Sequence, residues 1–313
     1  SKRTPDPERN AGVTTLRHMA QAIVDTHHDL ALRPDASQRL TLIAPSDPVD
    51  GAQAVGEAAR VAALALDFDT TDADCLAVAW LAQTRRTGRF DATAWPQEPE
   101  DFGITPWPRT DIFAPCPQHL GLYAILPDAQ WVGRMAHAGV STVQLRCKST
   151  DRRAIAREVR AAVDAVQGTG SLLFINDHWQ AAIDAGAYGV HLGQEDLDTA
   201  DLGAIRAAGL RLGLSSHGYA EILRADRFSP SYIAIGAVFA TQLKQLATKP
   251  QGCARLQQYV ALLRAVPTVA IGGISAERLP SVLASGVGSA AMVSALVNAA
   301  QPETQASNLM AMF

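Results

Sequence analysis

SLLFINDHWQAAIDAGAYGVHLG, residues 171–193, contains two short β-rich runs separated by a helical stretch. The two runs, SLLFIND and GVHLG, are largely apolar, which is typical of strands buried on both faces of a parallel sheet. Gly186 follows the helical stretch, and a glycine there can adopt the left-handed conformation that ends a helix. This stretch therefore predicts a strand–helix–strand unit with parallel strands.

The same alternation of strand and helix patterns continues across residues 120–313. Eight strand candidates occur, and they are LGLYAIL (120–126), TVQLRCK (142–148), SLLFIND (171–177), GVHLG (189–193), RLGLSSH (211–217), YIAIGAVF (232–239), TVAIGG (268–273) and SAAMVSAL (289–296). Stretches rich in Ala and Arg fill the gaps between them. We therefore expect an α/β fold in which residues 120–313 form a compact (β/α)8 TIM barrel. A doubly wound open sheet is the alternative.

Residues 1–119 have a different pattern, because their apolar residues recur mostly at helical spacing. Only TLIAP, residues 41–45, is typical of a strand, and prolines concentrated in residues 99–119 indicate an irregular connecting segment. We predict a smaller, mostly helical N-terminal region with a boundary near residue 119. It contains no Gly-rich phosphate loop and no acid–base cluster, so we assign it no chemistry of its own.

Composition argues against several classes of protein. The 27 Lys and Arg against 31 Asp and Glu give a net charge of −4, which provides no attraction to nucleic acid or anionic lipid. No apolar run approaches the ~18 residues of a membrane span. The 4 cysteines are scattered without a C-x-x-C pair, and the first residues lack the apolar core of a secretion signal. We expect a reduced, cytoplasmic protein without structural zinc, with homo-oligomer formation left open.

Polar residues in the second strand candidate point to an anionic ligand. Alternation along TVQLRCK places Gln144, Arg146 and Lys148 on the inner side of the barrel. Polar side chains inside a barrel are costly unless they line the ligand cavity at the carboxyl ends of the strands. The alternative is that Lys148 is solvated beyond the strand while Arg146 forms an ion pair with a helix.

Two carboxylates follow neighbouring strands. Asp177 ends the third strand candidate and Asp196 follows the fourth, so both can reach one small cation. Mg²⁺ is usually held by one or two carboxylates, water and a substrate phosphate. Aspartate is also common as a helix cap, and that interpretation stays open for both residues. With the cations of the second strand, the pattern predicts a magnesium–diphosphate site.

A second anion site is predicted after strands 7 and 8, the usual phosphate site of barrels. Gly272 and Gly273 allow close approach of the backbone to an anion, and Ser294 adds a hydroxyl donor. The long polar loop after strand 6 carries Thr241 and Lys244, and we predict that it closes over a bound phosphate. A packing role for the glycines and a plain surface loop are the alternatives.

Three histidines, His178, His191 and His217, fall at predicted strand ends. A histidine in such a place serves equally well as a hydrogen-bonded structural group or as a base. We keep only His217 as a reserve acid or base.

Eight short runs of residues match a known family. These runs occur in the order and spacing of the thiamine phosphate synthases. They are VQLRCK, FIND, GVHLGQEDL, GLSSH, IGAVFATQLK, PQG, TVAIGGI and MVSAL. Residues from about 120 to 300 therefore resemble that family. The resemblance implies a magnesium-dependent transferase that joins hydroxymethylpyrimidine diphosphate to hydroxyethylthiazole phosphate and releases diphosphate.

The resemblance also implies roles for individual residues. It places Mg²⁺ on Asp177 and Asp196, and Ser215 and Lys244 near the leaving group. The pyrimidine diphosphate side is implied to be held by Gln144, Arg146, Lys148 and Asn176, and the thiazole phosphate by Thr241, Gly273 and Ser294.

The sequence departs from the family pattern in three places, one of which is Cys253-Ala254 in place of the Leu-Glu common after PQG. Ala240 and Leu243 replace a proline and a threonine of the family's loop, which predicts weaker binding of the thiazole phosphate. Residues 1–119 fall outside the resemblance, and a remnant of a fused kinase or an unrelated packing domain are both open. A thiazole tautomerase-like isomerase using His217, or a non-catalytic thiazole phosphate-binding protein, is the alternative function.

Overall fold

The computed structural model describes residues 15–43, 52–241 and 249–313. The chain divides into two compact units, Ser1–Gly103 and Ile104–Phe313. This division falls earlier in the sequence than the predicted boundary near residue 119, because residues 104–119 pack with the second unit. Among the described residues, no helix combines the length and apolar character needed to cross a bilayer.

The described part of the N-terminal unit is helical, as the sequence predicts. Its helices are α1 (Leu16–Thr26), α2 (Ala36–Ile43), α3 (Ala52–Ala65) and α4 (Thr70–Thr87). The strand predicted for TLIAP is wrong over residues 41–43, which form the end of α2; residues 44 and 45 lie outside the described residues. These residues extend a helix that buries Ala36 and Leu40, so packing of that helix face outweighs the β preference of their side chains.

The second unit is a closed barrel of eight parallel strands in the order β1 to β8, with β1 paired to β8. The strands are β1 (Gly121–Leu126), β2 (Thr142–Leu145), β3 (Leu172–Asn176), β4 (Gly189–Leu192), β5 (Arg211–Ser216), β6 (Tyr232–Ile235), β7 (Thr268–Ile271) and β8 (Ser289–Met292). The predicted (β/α)8 fold is confirmed. Several predicted strands are too long at their carboxyl ends, and Ser294 begins a short helix instead of continuing β8.

Helices follow the strands around the barrel. They are α5 (Ala129–His137), α6 (Arg152–Ala165), α7 (Trp179–Ala185), α8 (Leu202–Ala207), α9 (Tyr219–Asp226), α10 (Gly252–Leu262), α11 (Leu279–Leu283), α12 (Ser294–Val297) and α13 (Pro302–Met310). Asp128 and Asp151 cap α5 and α6 by accepting backbone N–H bonds. Gly186, with φ of 68°, ends α7 as the sequence predicts.

The barrel interior is packed around the aromatic rings of Tyr123, Phe174 and Tyr232, none more than 1% exposed. The rings of Phe174 and Tyr232 pack edge to face, with their centroids 5.2 Å apart. Two strand glycines face these rings. A Cβ at Gly213 would lie 2.1 Å from Tyr232, and one at Gly189 would lie 2.6 Å from Phe174. The interior therefore accommodates its large rings only because the facing strands carry no side chain at these positions.

An ion pair ties the connecting segment to the barrel. The Arg109 guanidinium donates to the Asp226 carboxylate at 2.9 Å, and the two side chains are 6% and 4% exposed. Arg109 also donates to the Asp226 carbonyl at 2.9 Å. Burial raises the pKa of Asp226, although Arg109 opposes that shift. The carboxylate is thus tolerated in its ionised form because a fixed cation faces it.

We expect the substitution Arg109→Ala to lower the free energy of unfolding by about 3 kcal/mol at neutral pH, because it leaves a buried carboxylate without a cation. Without Arg109 the pKa of Asp226 rises further. The deficit should therefore shrink as pH falls from about 7 towards the ordinary carboxyl pKa of about 4, where protonation removes the charge. Urea denaturation of the full chain at several pH values measures this.

Arg134→Ala is the matched control, because Arg134 pairs with Glu303 at an exposed position. Its effect should be much smaller at every pH. A deficit in Arg109→Ala that does not change with pH would show that packing of the arginine stem, and not the unpaired charge, causes the loss.

Candidate active site

A cavity opens at the carboxyl ends of the barrel strands. Most of the residues that the sequence predicts for a site line it together, and these are Gln144, Arg146, Asn176, Asp177, Ser215, His217, Thr241, Gly272, Gly273 and Ser294. Lys148 is exposed beyond β2 and does not line the cavity. Asp196 also stands outside the lining, and Lys244 and Leu243 lie outside the described residues.

The end of β2 brings a cation and an amide into the cavity. The Arg146 backbone N–H donates to the Leu126 carbonyl at 2.8 Å, which extends the alignment with β1 by one residue beyond the strand. Gln144 is 2% exposed, so its amide belongs to the barrel interior. The His178 ring nitrogen Nε2 lies 3.1 Å from the Cys147 carbonyl and fastens the loop after β3 to the loop after β2. This contact gives His178 a structural role.

The loop after β3 presents Asp177 to the same cavity. Asp177 adopts φ of 63°, and its backbone N–H donates to the His191 carbonyl at 3.0 Å. Partial withdrawal from solvent raises the pKa of Asp177, and the negative charge of Asp196 raises it further, against the opposing effects of His178 and Arg146. The Asp196 carboxylate itself accepts the Gly193 backbone N–H at 2.8 Å. Asp177 in the cavity wall is therefore subject to repulsion from the Asp196 carboxylate, which stands behind the lining.

A divalent cation would relieve this repulsion, and oxygen donors suit Mg²⁺. Within residues 15–43, 52–241 and 249–313, no group of three or more His, Cys, Asp or Glu side chains is placed to hold a metal. Asp177 and Asp196 thus form at most a two-ligand set. A cation held there would take its other ligands from water and phosphate, which is the usual arrangement for Mg²⁺.

The turn after β7 consists of two glycines with left-handed backbones, Gly272 with φ of 105° and Gly273 with φ of 63°. Its position is fixed from two sides. The Phe239 backbone N–H donates to the Gly272 carbonyl at 3.0 Å, and the Arg278 guanidinium donates to the Gly273 carbonyl at 2.7 Å. A Cβ at Gly273 would lie 2.5 Å from the Ala240 carbonyl oxygen. Glycine is required here by both backbone angle and space.

His217 lines the cavity in a fixed orientation. Its Nδ1 lies 2.6 Å from the Glu221 carboxylate, and its backbone N–H donates to the same carboxylate oxygen at 2.9 Å. A carboxylate at Nδ1 orients the ring so that Nε2 is the nitrogen available to a ligand. The predicted reserve base is therefore an oriented imidazole in the cavity wall.

Sequence reasoning missed two polar groups in the floor of the cavity, Tyr123 and Tyr232, and considered but did not keep a third, His191. The Gln144 amide donates to the Tyr123 hydroxyl at 2.9 Å, and the two tyrosine hydroxyls lie 2.7 Å apart. The Tyr232 hydroxyl lies 2.7 Å from His191 Nδ1, and His191 Nε2 lies 2.8 Å from the Ser215 hydroxyl. We call these five residues the floor chain. Inward alternation in β1, β4 and β6 was the available signal, but buried tyrosines are equally typical of a core.

The arrangement suits a ligand with two anionic ends. Arg146 and the carboxylate pair lie at the ends of β2, β3 and β4, and the glycine turn and Ser294 lie at the ends of β7 and β8. The described lining residues include one hydroxyl next to an imidazole, Ser215 with His191 Nε2 at 2.8 Å, whose Nδ1 lies beside the Tyr232 hydroxyl and not beside a carboxylate, while His217 is paired with Glu221. The geometry favours electrostatic stabilisation of departing or developing charge.

The chain matches known proteins over this barrel. The sequence model of a family described as thiamine monophosphate synthase matches residues 122–296. A thiamine-phosphate synthase from Neisseria gonorrhoeae is 56% identical over 191 residues, which cover 61% of this chain and 93% of that protein. A thiamine-phosphate synthase from Cronobacter sakazakii is 53% identical over 190 residues, with coverage of 61% and 90%. A solved thiamine phosphate pyrophosphorylase from Pyrococcus furiosus superposes with a TM-score of 0.55 at 27% identity, over 62% of this chain and 95% of that one.

We expect the substitution Gly273→Ala to weaken the binding of inorganic phosphate at least tenfold and to lower the unfolding temperature. The added Cβ conflicts with the Ala240 carbonyl and with the left-handed backbone at the same time. Gly139→Ala is the matched control, because Gly139 has φ of 91° but nothing within 4 Å of its Cβ position. The control should lose about 1 kcal/mol from backbone strain and keep its phosphate affinity. Equal phosphate binding in both variants would remove the turn from the anion site.

Proposed function

The chain belongs to the thiamine monophosphate synthase family, and from this premise we propose how its barrel makes thiamine phosphate. It is a transferase that joins hydroxymethylpyrimidine diphosphate to hydroxyethylthiazole phosphate and releases diphosphate. The observation that carries the mechanism is the placement of Arg146, Asp177 and the turn at Gly272–Gly273 around one cavity. Two small phosphorylated molecules therefore have separate anchoring points within reach of each other.

The pyrimidine diphosphate binds on the side formed by β2 to β5. Its diphosphate lies against Arg146, with Gln144 and Asn176 contacting the same substrate; the contact of Lys148, which is exposed outside the cavity lining, stays a prediction from the resemblance. The carbon–oxygen bond to the diphosphate breaks, and the bonding electron pair leaves with the diphosphate oxygen. The pyrimidine methylene carbon is left as a resonance-stabilised cation. Arg146 and Ser215, together with Lys244 from the loop after β6, stabilise the charge that gathers on the leaving oxygens.

The thiazole phosphate binds on the opposite side. Its phosphate lies at Gly272 and Gly273, with Thr241 and Ser294 as hydroxyl donors. The lone pair of the thiazole nitrogen then forms the new carbon–nitrogen bond to the methylene cation. No proton is gained or lost in this step, which agrees with a site built from fixed donors and cations.

Asp177 and Asp196 are the residues that would hold Mg²⁺. The ion would neutralise part of the charge on the diphosphate when bound. Burial first and then the negative charge of Asp196 raise the pKa of Asp177, so the two carboxylates interact and a shared cation would offset their repulsion.

The altered loop weakens the binding of one substrate and leaves the chemical step unaffected. Ala240 stands where the family has proline, and Leu243 removes one hydroxyl that would donate to the thiazole phosphate. The loss of one such hydrogen bond is worth ~1 to 2 kcal/mol. The expected result is a higher concentration requirement for the thiazole phosphate.

A thiazole isomerase is the second candidate, because His217 faces the cavity with Glu221 behind it. We give it second place, because an isomerase acting on the thiazole alone has no use for Arg146 beside a pair of carboxylates. The cytoplasmic location, homo-oligomer formation and the origin of residues 1–119 in a kinase remnant or an unrelated domain stay predictions.

We expect Arg146→Ala to reduce turnover well over tenfold, because a fixed cation is lost where the leaving group gathers charge. Diphosphate release from the two substrates in the presence of Mg²⁺ measures the rate. Arg157→Ala, an exposed arginine on α6, is the control and should leave the rate unchanged. Unchanged turnover in Arg146→Ala would place that arginine outside the reaction.

The magnesium assignment predicts a shift in metal requirement. Asp177→Asn should raise the Mg²⁺ concentration for half-maximal diphosphate release at least tenfold, since one of two charged ligands is lost. Asp184→Asn, on the exposed face of α7, should match the unsubstituted protein. Full activity of the unsubstituted protein in excess chelator would refute the metal site itself.

A further inference from the structure

The floor chain crosses the barrel interior from β2 to β5 as an unbroken row of hydrogen bonds. Its links run from Gln144 to Tyr123, Tyr232, His191 and Ser215, with heavy-atom distances between 2.7 and 2.9 Å. Gln144 and both tyrosines are no more than 2% exposed, and His191 is 7% exposed. The mechanism above uses only the two ends of this row, Gln144 and Ser215. The three residues between them have no assigned role.

The direction of the row follows from counting hydrogens. Burial holds the pKa of both tyrosine hydroxyls far above the ordinary value, so each keeps its single hydrogen. Tyr123 accepts a hydrogen bond from the Gln144 amide and must give its own hydrogen to Tyr232. Tyr232 in turn gives its hydrogen to His191 Nδ1. In the reverse direction the buried Tyr123 hydrogen would have no acceptor among the described residues, and an unpaired buried donor is strongly unfavourable.

The direction determines the state of His191. Since Nδ1 accepts from Tyr232, the hydrogen of the neutral ring lies on Nε2, which donates to the Ser215 hydroxyl oxygen. The Ser215 hydroxyl hydrogen is then left to point into the cavity that this residue lines. The Gln194 amide donates to the Ser215 carbonyl at 2.7 Å and holds the backbone in place. In the opposite tautomer, His191 Nε2 would accept a hydrogen bond from the Ser215 hydroxyl. The lone pairs of the Ser215 oxygen would then face an anion in the cavity.

We propose that Tyr232 and His191, directed by Tyr123 and Gln144, are positioning residues that make the Ser215 hydroxyl an obligate donor to the departing diphosphate. No proton moves along the row during the reaction; the row only orients hydrogens. The proposal rests on the proposed function, because it names a departing diphosphate as the acceptor. Its structural half, the tautomer of His191, is independent of activity.

The tautomer is measured by NMR on full-length protein labelled with ¹⁵N-histidine, one signal pair for each of the 8 histidines. The His191 signals are those missing from His191→Gln. We expect a neutral ring with hydrogen on Nε2 and an unprotonated Nδ1. This state should persist in Tyr123→Phe, where Tyr232 still donates, and should be lost in Tyr232→Phe. A ring with hydrogen on Nδ1 in the unsubstituted protein overturns the proposal.

Activity supplies the second test. Tyr232→Phe should lower kcat tenfold to a hundredfold with a smaller change in KM for the pyrimidine diphosphate, and Tyr123→Phe should lower it far less. The double variant Tyr232→Phe with Ser215→Ala should be no slower than Ser215→Ala alone, because the tyrosine acts only through the serine. If the kcat losses of Tyr232→Phe and Ser215→Ala multiply in the double variant, the tyrosine does not act through the serine. If Tyr123→Phe and Tyr232→Phe, which are equally buried, lower kcat equally, their role is packing. Either result overturns the proposal.

Tyr188→Phe is the matched control. Its ring packs against Phe174 at 5.5 Å, yet its hydroxyl is outside the floor chain. It should change neither the His191 signals nor kcat. If the unsubstituted protein releases no diphosphate from its two substrates, the proposed function fails while the tautomer measurement still decides the structural half.

Discussion

Because β1 pairs with β8 as well as with β2, every strand of the barrel has two neighbours, and both of its faces are covered. One face packs against helices and the other faces a filled interior. A polar side chain within a strand must then either find a partner inside or stand at the carboxyl end, where the cavity opens. This constraint separates the barrel into a hydrogen-bonded floor and a charged rim. Arg146 and Asp177 lie on the rim, just beyond their strands.

The floor satisfies the same constraint differently. Phe174 fills space, while Tyr123 and Tyr232 fill space and also carry hydroxyls that need partners. The glycines at 189 and 213 create the room for these rings, so the large residues and the missing side chains form one packing solution. The hydroxyls then meet each other instead of solvent. Both tyrosines are buried, so their hydroxyls cannot bond to solvent. The row of hydrogen bonds across the interior follows directly from this burial.

The sequence predicts the barrel and most of the rim because both depend on short-range regularities. Strand ends are visible as the last apolar residues before a polar group, which is why Arg146, Asp177 and the glycines at 272 and 273 were predicted to face one cavity. Local patterns overestimate where a strand stops, so Lys148 was placed inside although β2 ends at Leu145. The floor chain was missed because a tyrosine in a strand has the same local pattern whether its hydroxyl is paired or not. Only the register between distant strands reveals the partner of each hydroxyl.

Fixed and rotatable donors place different demands on the surrounding structure. A guanidinium such as that of Arg146 can only donate hydrogen bonds, and the position of the side chain sets the direction of those bonds. A serine hydroxyl both donates and accepts, so Ser215 favours a departing anion only if its oxygen is already occupied by another donor. In the proposed arrangement the rim cations face the bound anion and do not supply that donor. The barrel interior can, since its buried groups have a single satisfied arrangement. In the proposed reaction no proton moves, yet the rate still depends on where hydrogens lie, and under our proposal the floor of the barrel sets that arrangement before any substrate binds.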